Sequence, residues 1–149
     1  MYHDIYNLSK IVALAGWAII FASLFLKAIR SWGLPVAQFV LPAVLSIMYL
    51  MMVWAGRHDL HLPHSFTDLE GIHDLYQNRS ALTASWLHFL AFDMFAGAWM
   101  VRDGATRGIP LLLILFCLPF TFIFGPLGLL LYIIIRFATG HRSVASTDD

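Results

Sequence analysis

The fold of this protein is decided by a long apolar stretch near the end of the chain. Residues 109–136 read IPLLLILFCLPFTFIFGPLGLLLYIIIR, and the only charge in that run is the terminal Arg136. A helix needs about 17–25 mainly apolar residues to cross the roughly 30 Å core of a bilayer. The run is longer than this, so we expect tilt or a break, for which Pro119 and the Gly125-Pro126 pair provide places.

Three further apolar stretches precede it, at about 11–29, 34–55 and 81–101. The polar segment 56–80 lies between the second and third, and its apolar residues recur partly at helical spacing. The sequence therefore predicts an all-α membrane protein with one domain, residues 1–149. We expect four transmembrane helices in a bundle, with a short interfacial helix between the second and the third.

The composition supports a lipid environment. About 60% of the residues are apolar and 12% are charged, against roughly 45–50% and 25% in soluble domains. The formal net charge is zero, which excludes the basic field of a nucleic-acid-binding protein. We therefore expect a multi-pass integral membrane protein in contact with membrane lipid. The lack of a transit-like segment favours a bacterial inner membrane, and a homo-oligomer is compatible with the sequence.

The predicted spans place two short turns, near 31–33 and 102–108, on one side of the membrane. Both termini and the polar segment would then lie on the other side. Lys and Arg divide four to five between these sides. Because the basic residues are more concentrated in the short turns, the positive-inside rule favours placing the turns in the cytoplasm.

The third stretch contains two ionisable residues at membrane depth, His88 and Asp93. A charged side chain at the centre of a membrane helix costs roughly 2.5–3.5 kcal/mol, so such residues face a bundle interior or a cavity. A separation of five residues corresponds to about 140° of rotation and about 7.5 Å of rise. The two side chains therefore cannot touch, and a substrate, water or another residue would have to lie between them.

These two residues have a catalytic and a structural interpretation, and the sequence leaves both open. They would form a general acid–base pair in an apolar cavity. Alternatively, they would hydrogen-bond across helices and only hold the bundle together. The candidate partners in that case are Gln38, Ser46, Thr121 and Tyr132.

The polar segment is rich in histidine, which suggests a metal site as a lesser alternative. His58, His61, His64 and His73 are the candidate ligands, accompanied by several carboxylates. Their spacing matches no zinc motif, and solvated loop residues explain the same pattern. We therefore expect no cofactor, with a metal ion as the exception to test.

The chain around the third stretch resembles the abscisic-acid-deficient-four-like family. The resemblance rests on an ordered series of short motifs: Asp68-Leu-Glu-Gly-Ile72, Leu82-Thr-Ala-Ser-Trp-Leu-His88, Asp93-Met-Phe-Ala96 and Asp103-Gly104. It covers about residues 60–136 and is weaker in the first two stretches. Plant members of this family take part in converting violaxanthin, an epoxy-carotenoid, into neoxanthin.

The resemblance implies a membrane-embedded protein that acts on a carotenoid or a similar isoprenoid. The implied reaction is a redox-neutral isomerisation, by epoxide opening or double-bond rearrangement. It needs an acid and a base, and His88, Asp93 and Glu70 are the catalytic candidates. A flat polyene suits an aromatic groove. The candidate lining residues are Trp86, Phe92, Gly97 and Tyr132.

Two alternatives to an isomerase remain at this point. The first is a non-catalytic module that binds a carotenoid or lipid, or that stabilises a membrane partner. The second is a metal-dependent membrane enzyme that uses the histidine-rich segment.

Overall fold

The computed structural model describes residues 2–58 and 68–140, and within these ranges the chain is helical with no strands. The helices are α1 (Tyr2–Phe25), α2 (Lys27–Pro35), α3 (Leu41–Gly56), α4 (Leu69–Gln77), α5 (Arg79–Thr106), α6 (Leu111–Phe124) and α7 (Pro126–Gly140), with a π-helical turn at Val36–Val40 between α2 and α3.

Helix α5 occupies the centre of the bundle, in contact with every other helix. Its close approach to α1 depends on Gly97, where an added Cβ atom would lie 2.7 Å from the Trp17 ring. Trp17, Leu45, Met94 and Leu118 are among the buried side chains that form the core.

The first turn of the chain differs from the prediction. Residues 31–33 lie inside α2, and the helix breaks instead at Leu26, whose backbone is extended with φ −110°. Arg30 makes this break stable, because its guanidinium donates to the carbonyl oxygens of Ser23 and Leu24 at 2.9 and 3.0 Å. It thereby satisfies carbonyls that the end of α1 leaves without a helical partner.

Pro42 lies within the second long apolar stretch, and the backbone adapts just before it. Proline lacks an N–H and its ring clashes with the carbonyl four residues earlier. The π-helical turn accommodates this, with the Leu41 N–H bonded to the carbonyl of Val36. Ser46 donates to the carbonyl of Pro42 at 2.8 Å. As a result, Lys27–Gly56 forms one nearly continuous apolar helix.

The short helix predicted between the second and third stretches is present as α4. Its N-cap is Asp68, whose side chain accepts a hydrogen bond from the N–H of Gly71 at 2.7 Å. Residues 59–67 of the same polar segment lie outside the described part of the chain.

The last apolar stretch breaks at Gly125, one of the two predicted places, whereas Pro119 lies inside α6, and the chain then folds back. Gly125 lies against the carboxyl of Asp93, whereas Ile114 and the Tyr132 hydroxyl both lie against Gly104. Helix α6 therefore runs from the Gly104 level to the Asp93 level of α5, and α7 returns along it. This hairpin differs from the predicted single helix over residues 109–136.

Small residues bring the two halves of the hairpin together. Gly125 has a φ of +37°, a left-handed conformation that favours glycine. Gly128, in the first turn of α7, is buried against the backbone of Thr121, in the last turn of α6. A larger side chain at Gly128 would force α6 and α7 apart.

Two helical segments, Tyr2–Phe25 and Lys27–Gly56, are long and apolar enough to cross a membrane. Helices α6 and α7 are apolar but shorter. Large apolar side chains cover much of the outer surface, among them Leu14, Trp54, Phe92, Leu112 and Ile123.

Candidate functional site

His88 lines a groove between α3 and α5. Its ring lies 4.6 Å from the ring of Phe92 and 6.3 Å from that of Tyr49, measured between centroids. The groove has a volume of about 290 Å³ and opens to the outer surface of the bundle. Its lining residues are Ser46, Tyr49, Leu50, Leu87, His88, Ala91 and Phe92.

The groove is apolar except for three side chains. Among the lining side chains, only the imidazole of His88 commonly acts as an acid or base near neutral pH. The hydroxyls of Ser46 and Tyr49 are the other polar groups of the groove. The Ser46 hydroxyl is already bonded to its own helix at Pro42. An isolated imidazole beside aromatic rings suits a flat, mostly apolar ligand that carries one polar group.

Tyr49 was not singled out from the sequence, although a usable signal was present. Ser46, Tyr49 and Leu50 are spaced i, i+3 and i+4, so they lie on one face of α3. Ser46 had been considered as a polar partner for the third stretch. Extending that face by one turn identifies Tyr49.

Asp93 lies in a different place, at the tip of the α6–α7 hairpin. Its side chain is partly buried and touches Gly125, where the chain turns. Within residues 2–58 and 68–140, no donor forms a hydrogen bond with its carboxyl group. The carboxyl therefore faces the break between two helices rather than the groove.

The structure does not bring His88 and Asp93 to one site. His88 points towards α3 and Asp93 towards the hairpin, as their angular separation on α5 allows. Glu70 is exposed on α4 and does not line the groove. Of the three catalytic candidates, His88 alone lies in the groove.

Of the four predicted lining residues, only Phe92 borders the groove. Trp86 stacks on Tyr6 of α1 with ring centroids 5.9 Å apart. Gly97 is covered by Trp17. Tyr132 is fully buried beside α5, where its ring packs on Trp99.

The four partners considered for a purely structural role of His88 and Asp93 are bonded elsewhere. Gln38 accepts from Arg102 at 3.5 Å, and Ser46 bonds to its own helix. Thr121 donates to the carbonyl of Cys117 at 3.1 Å, and Tyr132 donates to Asp103 at 2.7 Å.

The metal candidates are spread over the polar segment. His58 and His73 are both exposed, and His73 lies 3.4 Å from Asp74 and 3.3 Å from Gln77. His61 and His64 lie outside the described residues. Across the described ranges, no group of three His, Cys, Asp or Glu side chains converges on one point.

Asp103 forms the most heavily bonded polar cluster of the described bundle. Its carboxylate accepts hydrogen bonds from Tyr132 at 2.7 Å, Arg136 at 2.9 Å, and Arg107 at 2.9 and 3.0 Å. Partial burial acts to raise the pKa of Asp103, but the hydrogen bonds from Arg107, Tyr132 and Arg136 hold it below its ordinary value. Asp103 lies just beyond the predicted span 81–101, and this cluster ties α7 to the end of α5.

A family model described as ABA DEFICIENT 4-like matches residues 4–132, from α1 into α7. The chain belongs to the ABA DEFICIENT 4-like family. This confirms the resemblance drawn from the third stretch, and it extends the match back through the first two apolar stretches. No curated protein and no solved structure matches the chain.

The motifs that indicated the ABA DEFICIENT 4-like family have identifiable structural roles. Asp68 caps α4, His88 lines the groove, Asp93 meets the hairpin tip and Asp103 anchors α7. Gly104 is buried against Ile114, where a side chain would separate α5 from α6. In this chain, the motif residues thus include one that lines the groove, His88, and two that contact the hairpin, Asp93 and Asp103.

Proposed function

We propose that this ABA DEFICIENT 4-like protein is a multi-pass membrane protein that acts on a carotenoid or similar isoprenoid held in the α3–α5 groove. The proposed reaction is a redox-neutral isomerisation in which His88 is the acid–base residue. One observation carries the proposal: a single imidazole lines an aromatic groove that opens towards the outer, apolar surface of the bundle.

The distribution of apolar side chains supports the membrane location. Trp54, Leu112 and Ile123 are at least 65% exposed on the outer surface. Buried polar residues such as Ser23, Gln38 and Thr121 face inwards. Water would penalise this arrangement, whereas lipid favours it. We propose a bacterial inner membrane as the location.

The size of the groove bears on how a long substrate would bind. Pockets for small ligands usually measure about 300–1,000 Å³, and the groove, at about 290 Å³, is at the lower limit. It accommodates one end of a polyene. The rest of the molecule would extend along the apolar surface, in contact with the lipid chains.

His88 can supply both proton transfers of an epoxide isomerisation. A protonated imidazole donates to the epoxide oxygen while the carbon–oxygen bond breaks, and the neutral imidazole then accepts a proton from an adjacent carbon. The products are a hydroxyl group and a new double bond, so no oxidant or co-reactant is consumed. The Tyr49 hydroxyl is a second donor beside the same oxygen. Asp93 and Glu70 remain catalytic predictions without a position in this groove.

A pigment assay with matched histidine variants tests this function. Membranes that contain the protein would be incubated with violaxanthin and other carotenoids, and the extracted pigments separated by chromatography. We expect His88→Gln to abolish product formation and His73→Gln, which removes an exposed imidazole outside the groove, to leave it unchanged. Equal turnover by wild type and His88→Gln would refute the assignment.

The second candidate function is carotenoid binding without catalysis. It is favoured by the shallow groove and by the distance of Asp93 and Glu70 from it. Pigment that purifies with the protein in unchanged form would support this function over the isomerase. The metal content of the same sample tests the other alternative, a metal-dependent enzyme that uses the histidine-rich segment. Activity in a metal-free sample that also resists a chelator would exclude this alternative.

A further inference from the structure

The start of α6 and the end of α7 lie at the same level along α5, near Asp103 and Gly104. Gly104 lies eleven residues after Asp93 along α5, and Arg136 lies eleven residues after Gly125 along α7. Eleven helical residues rise about 16 Å. Because Gly125 meets Asp93 and Arg136 bonds to Asp103, α7 runs parallel to α5 and covers the same distance.

The helix lengths agree with a hairpin that reaches only part of the way across a membrane. Helix α6 has 14 residues and α7 has 15, or about 21–23 Å each, which is less than the roughly 30 Å hydrocarbon core. Helix α5, with 28 residues, is about 42 Å long. Asp93, at the hairpin tip, is near its midpoint.

The turn of the hairpin meets the physical requirement for irregular backbone at membrane depth. Non-helical backbone is tolerated there only where protein covers it. Gly125 and Gly128 are both buried, and Asp93 covers the first of them. The return helix is held at its far end by the hydrogen bonds of Tyr132 and Arg136 to Asp103.

The hairpin brings Arg136 to the basic residues at one end of the bundle, which we call the arginine end. Arg30 lines a cavity of about 240 Å³ there with Ala105, near the end of α5, and Ile109, in the turn after α5. Among the described residues, the cations of the arginine end are Lys27, Arg30, Arg102, Arg107 and Arg136, accompanied by one carboxylate, Asp103.

The opposite end of the bundle has the reverse balance. Tyr2 bonds to Ser80 there, which places the start of α1 beside the start of α5. Within the described chain, its three cations are Lys10, Arg57 and Arg79, and its four carboxylates are Asp4, Asp68, Glu70 and Asp74. For four crossings, the sequence predicted nearly equal numbers of Lys and Arg on the two sides. Among the described residues, the arginine end instead has five and the opposite end three.

We propose that the chain crosses the membrane three times, by α1, by α2–α3 and by α5, and that α6–α7 is a re-entrant hairpin. The arginine end then contacts the anionic lipid headgroups of the cytoplasmic leaflet. This inference rests on the membrane location proposed above, but not on the substrate or on His88. It places the start of α1 and the end of α7 on opposite sides of the membrane.

Accessibility of single cysteines tests the crossings. In a Cys117→Ala background, cysteine would be introduced by Gln77→Cys on α4, Thr106→Cys at the arginine end and Asp149→Cys at the last residue. Intact cells would be treated with a membrane-impermeant maleimide, and lysed cells would serve as the control. We expect Gln77→Cys to label in intact cells, and Thr106→Cys and Asp149→Cys to label only after lysis.

Each other result of this experiment overturns a specific part of the inference. Labelling of Asp149→Cys together with Gln77→Cys in intact cells would refute the re-entrant hairpin. Labelling of Thr106→Cys and Asp149→Cys, with Gln77→Cys protected, would refute the orientation and the lipid contact. Extraction of the protein by alkaline carbonate would instead refute the membrane location, and the proposed function with it.

Charge variants test the role of the arginine end directly. Lys27→Gln combined with Arg102→Gln reduces the five described cations there to three, equal to the other end. We expect this double variant to insert in both orientations, so that each reporter cysteine labels in part of the population. Arg57→Gln at the opposite end is the matched control and should leave the orientation unchanged. A double variant with wild-type orientation would contradict the inference.

Reconstituted protein tests the lipid partner. Wild type should unfold at a higher temperature in vesicles of phosphatidylglycerol than in vesicles of phosphatidylcholine, because the anionic headgroups contact the arginine end. The double variant should lose most of this difference, whereas Arg57→Gln should keep it. An unfolding temperature of wild type that is equal in both lipids would overturn the proposed headgroup contact.

Discussion

The carboxyl of Asp93, near the middle of α5, lies against Gly125, the residue at which α6 turns back into α7. The two residues are 32 positions apart in the sequence. Their contact seats the tip of the hairpin against the central helix. Asp93 therefore faces the hairpin, whereas His88 faces the groove between α3 and α5.

Replacing Gly125 by alanine should destabilise the hairpin. Gly125 has a positive φ, and a methyl group there would overlap the Asp93 carboxyl. Gly108→Ala is a matched control, because Gly108 has a φ of +66° with nothing within 4 Å of an added Cβ. We expect about 1–2 kcal/mol of lost stability for Gly108→Ala and a larger loss for Gly125→Ala, measured by thermal unfolding in detergent.

A second substitution, Asp93→Ala, separates the two causes of the stability lost in Gly125→Ala, which are steric overlap and backbone strain. In an Asp93→Ala background, the overlap is removed and only the backbone strain remains, so Gly125→Ala should cost less than in wild type. Equal costs in the two backgrounds would show that the Asp93 contact does not control the turn.

Asp103→Asn should loosen the return helix and remove part of the acid sensitivity of the protein. Loss of charge-assisted bonds to Arg107, Arg136 and Tyr132 should cost about 1–3 kcal/mol. Arg57→Gln, which removes an exposed arginine at the other end, is the control.

The pH dependence follows from the direction of the Asp103 shift. The pKa of Asp103 is lowered in the folded protein. The stabilisation that its carboxylate provides is therefore complete above the pKa of the unfolded chain, about 3.9, and is lost as the pH falls below that value. The difference in unfolding temperature between wild type and Asp103→Asn should therefore be constant from about pH 7 to 5 and shrink below about pH 4. A difference that stays constant to pH 2.5 would contradict the ion-pair account.

Gly97→Ala should weaken the packing of α1 on α5. The added methyl group would lie 2.7 Å from the Trp17 ring, so the helices must separate or the ring must move. Overpacking of this kind typically costs about 1–3 kcal/mol. Trp17→Phe, which shortens the ring, should recover part of the loss when combined with Gly97→Ala. Thermal unfolding of the four proteins tests this coupling, and additive losses would refute it.

Phe92→Ala should weaken pigment binding, because its ring forms one wall of the His88 groove. Phe124→Ala is the control, since Phe124 is exposed to a similar extent, 59% against 62%, but does not line the groove. Loss of an aromatic contact worth about 0.5–1.5 kcal/mol corresponds to roughly a 2- to 12-fold weaker affinity. The same affinity in both variants, measured by pigment retention, would exclude the groove as the binding site.

Much of the local structure could be predicted from residue pattern. Three of the four stretches predicted from apolar length are helical through most of their length, and the fourth divides into two helices at the Gly125-Pro126 pair, one of the two predicted break points. The short helix at Leu69–Gln77 follows from its helical spacing, whereas its N-cap, Asp68, was identified only in the structure. The separation of His88 and Asp93 on α5 follows from helical geometry alone.

The helix boundaries were harder, because the deciding interactions are not local. Ser31–Gly33 has the composition of a turn, but the break lies at Leu26, where Arg30 satisfies the carbonyls of Ser23 and Leu24. Tyr49 joins the groove because α3 packs face to face with α5. No local pattern reveals the partners of Arg30, whereas Tyr49 shares one face of α3 with Ser46, so its place was open to prediction.

By itself, the sequence determined that the chain is helical and highly apolar, that its last apolar stretch is too long for one straight span, with Pro119 and the Gly125-Pro126 pair as possible breaks, and that it resembles its family at His88, Asp93 and Asp103. Only the tertiary structure decided that α7 turns back, and that His88 and Asp93 serve different surfaces. The physical reason is that α6 and α7 are apolar on every side, so periodicity cannot tell a helix that continues from one that returns. The direction of α7 is decided by contacts between residues far apart in the sequence. Gly125 contacts Asp93 at the tip of the hairpin, and Tyr132 and Arg136 bond to Asp103 at the far end.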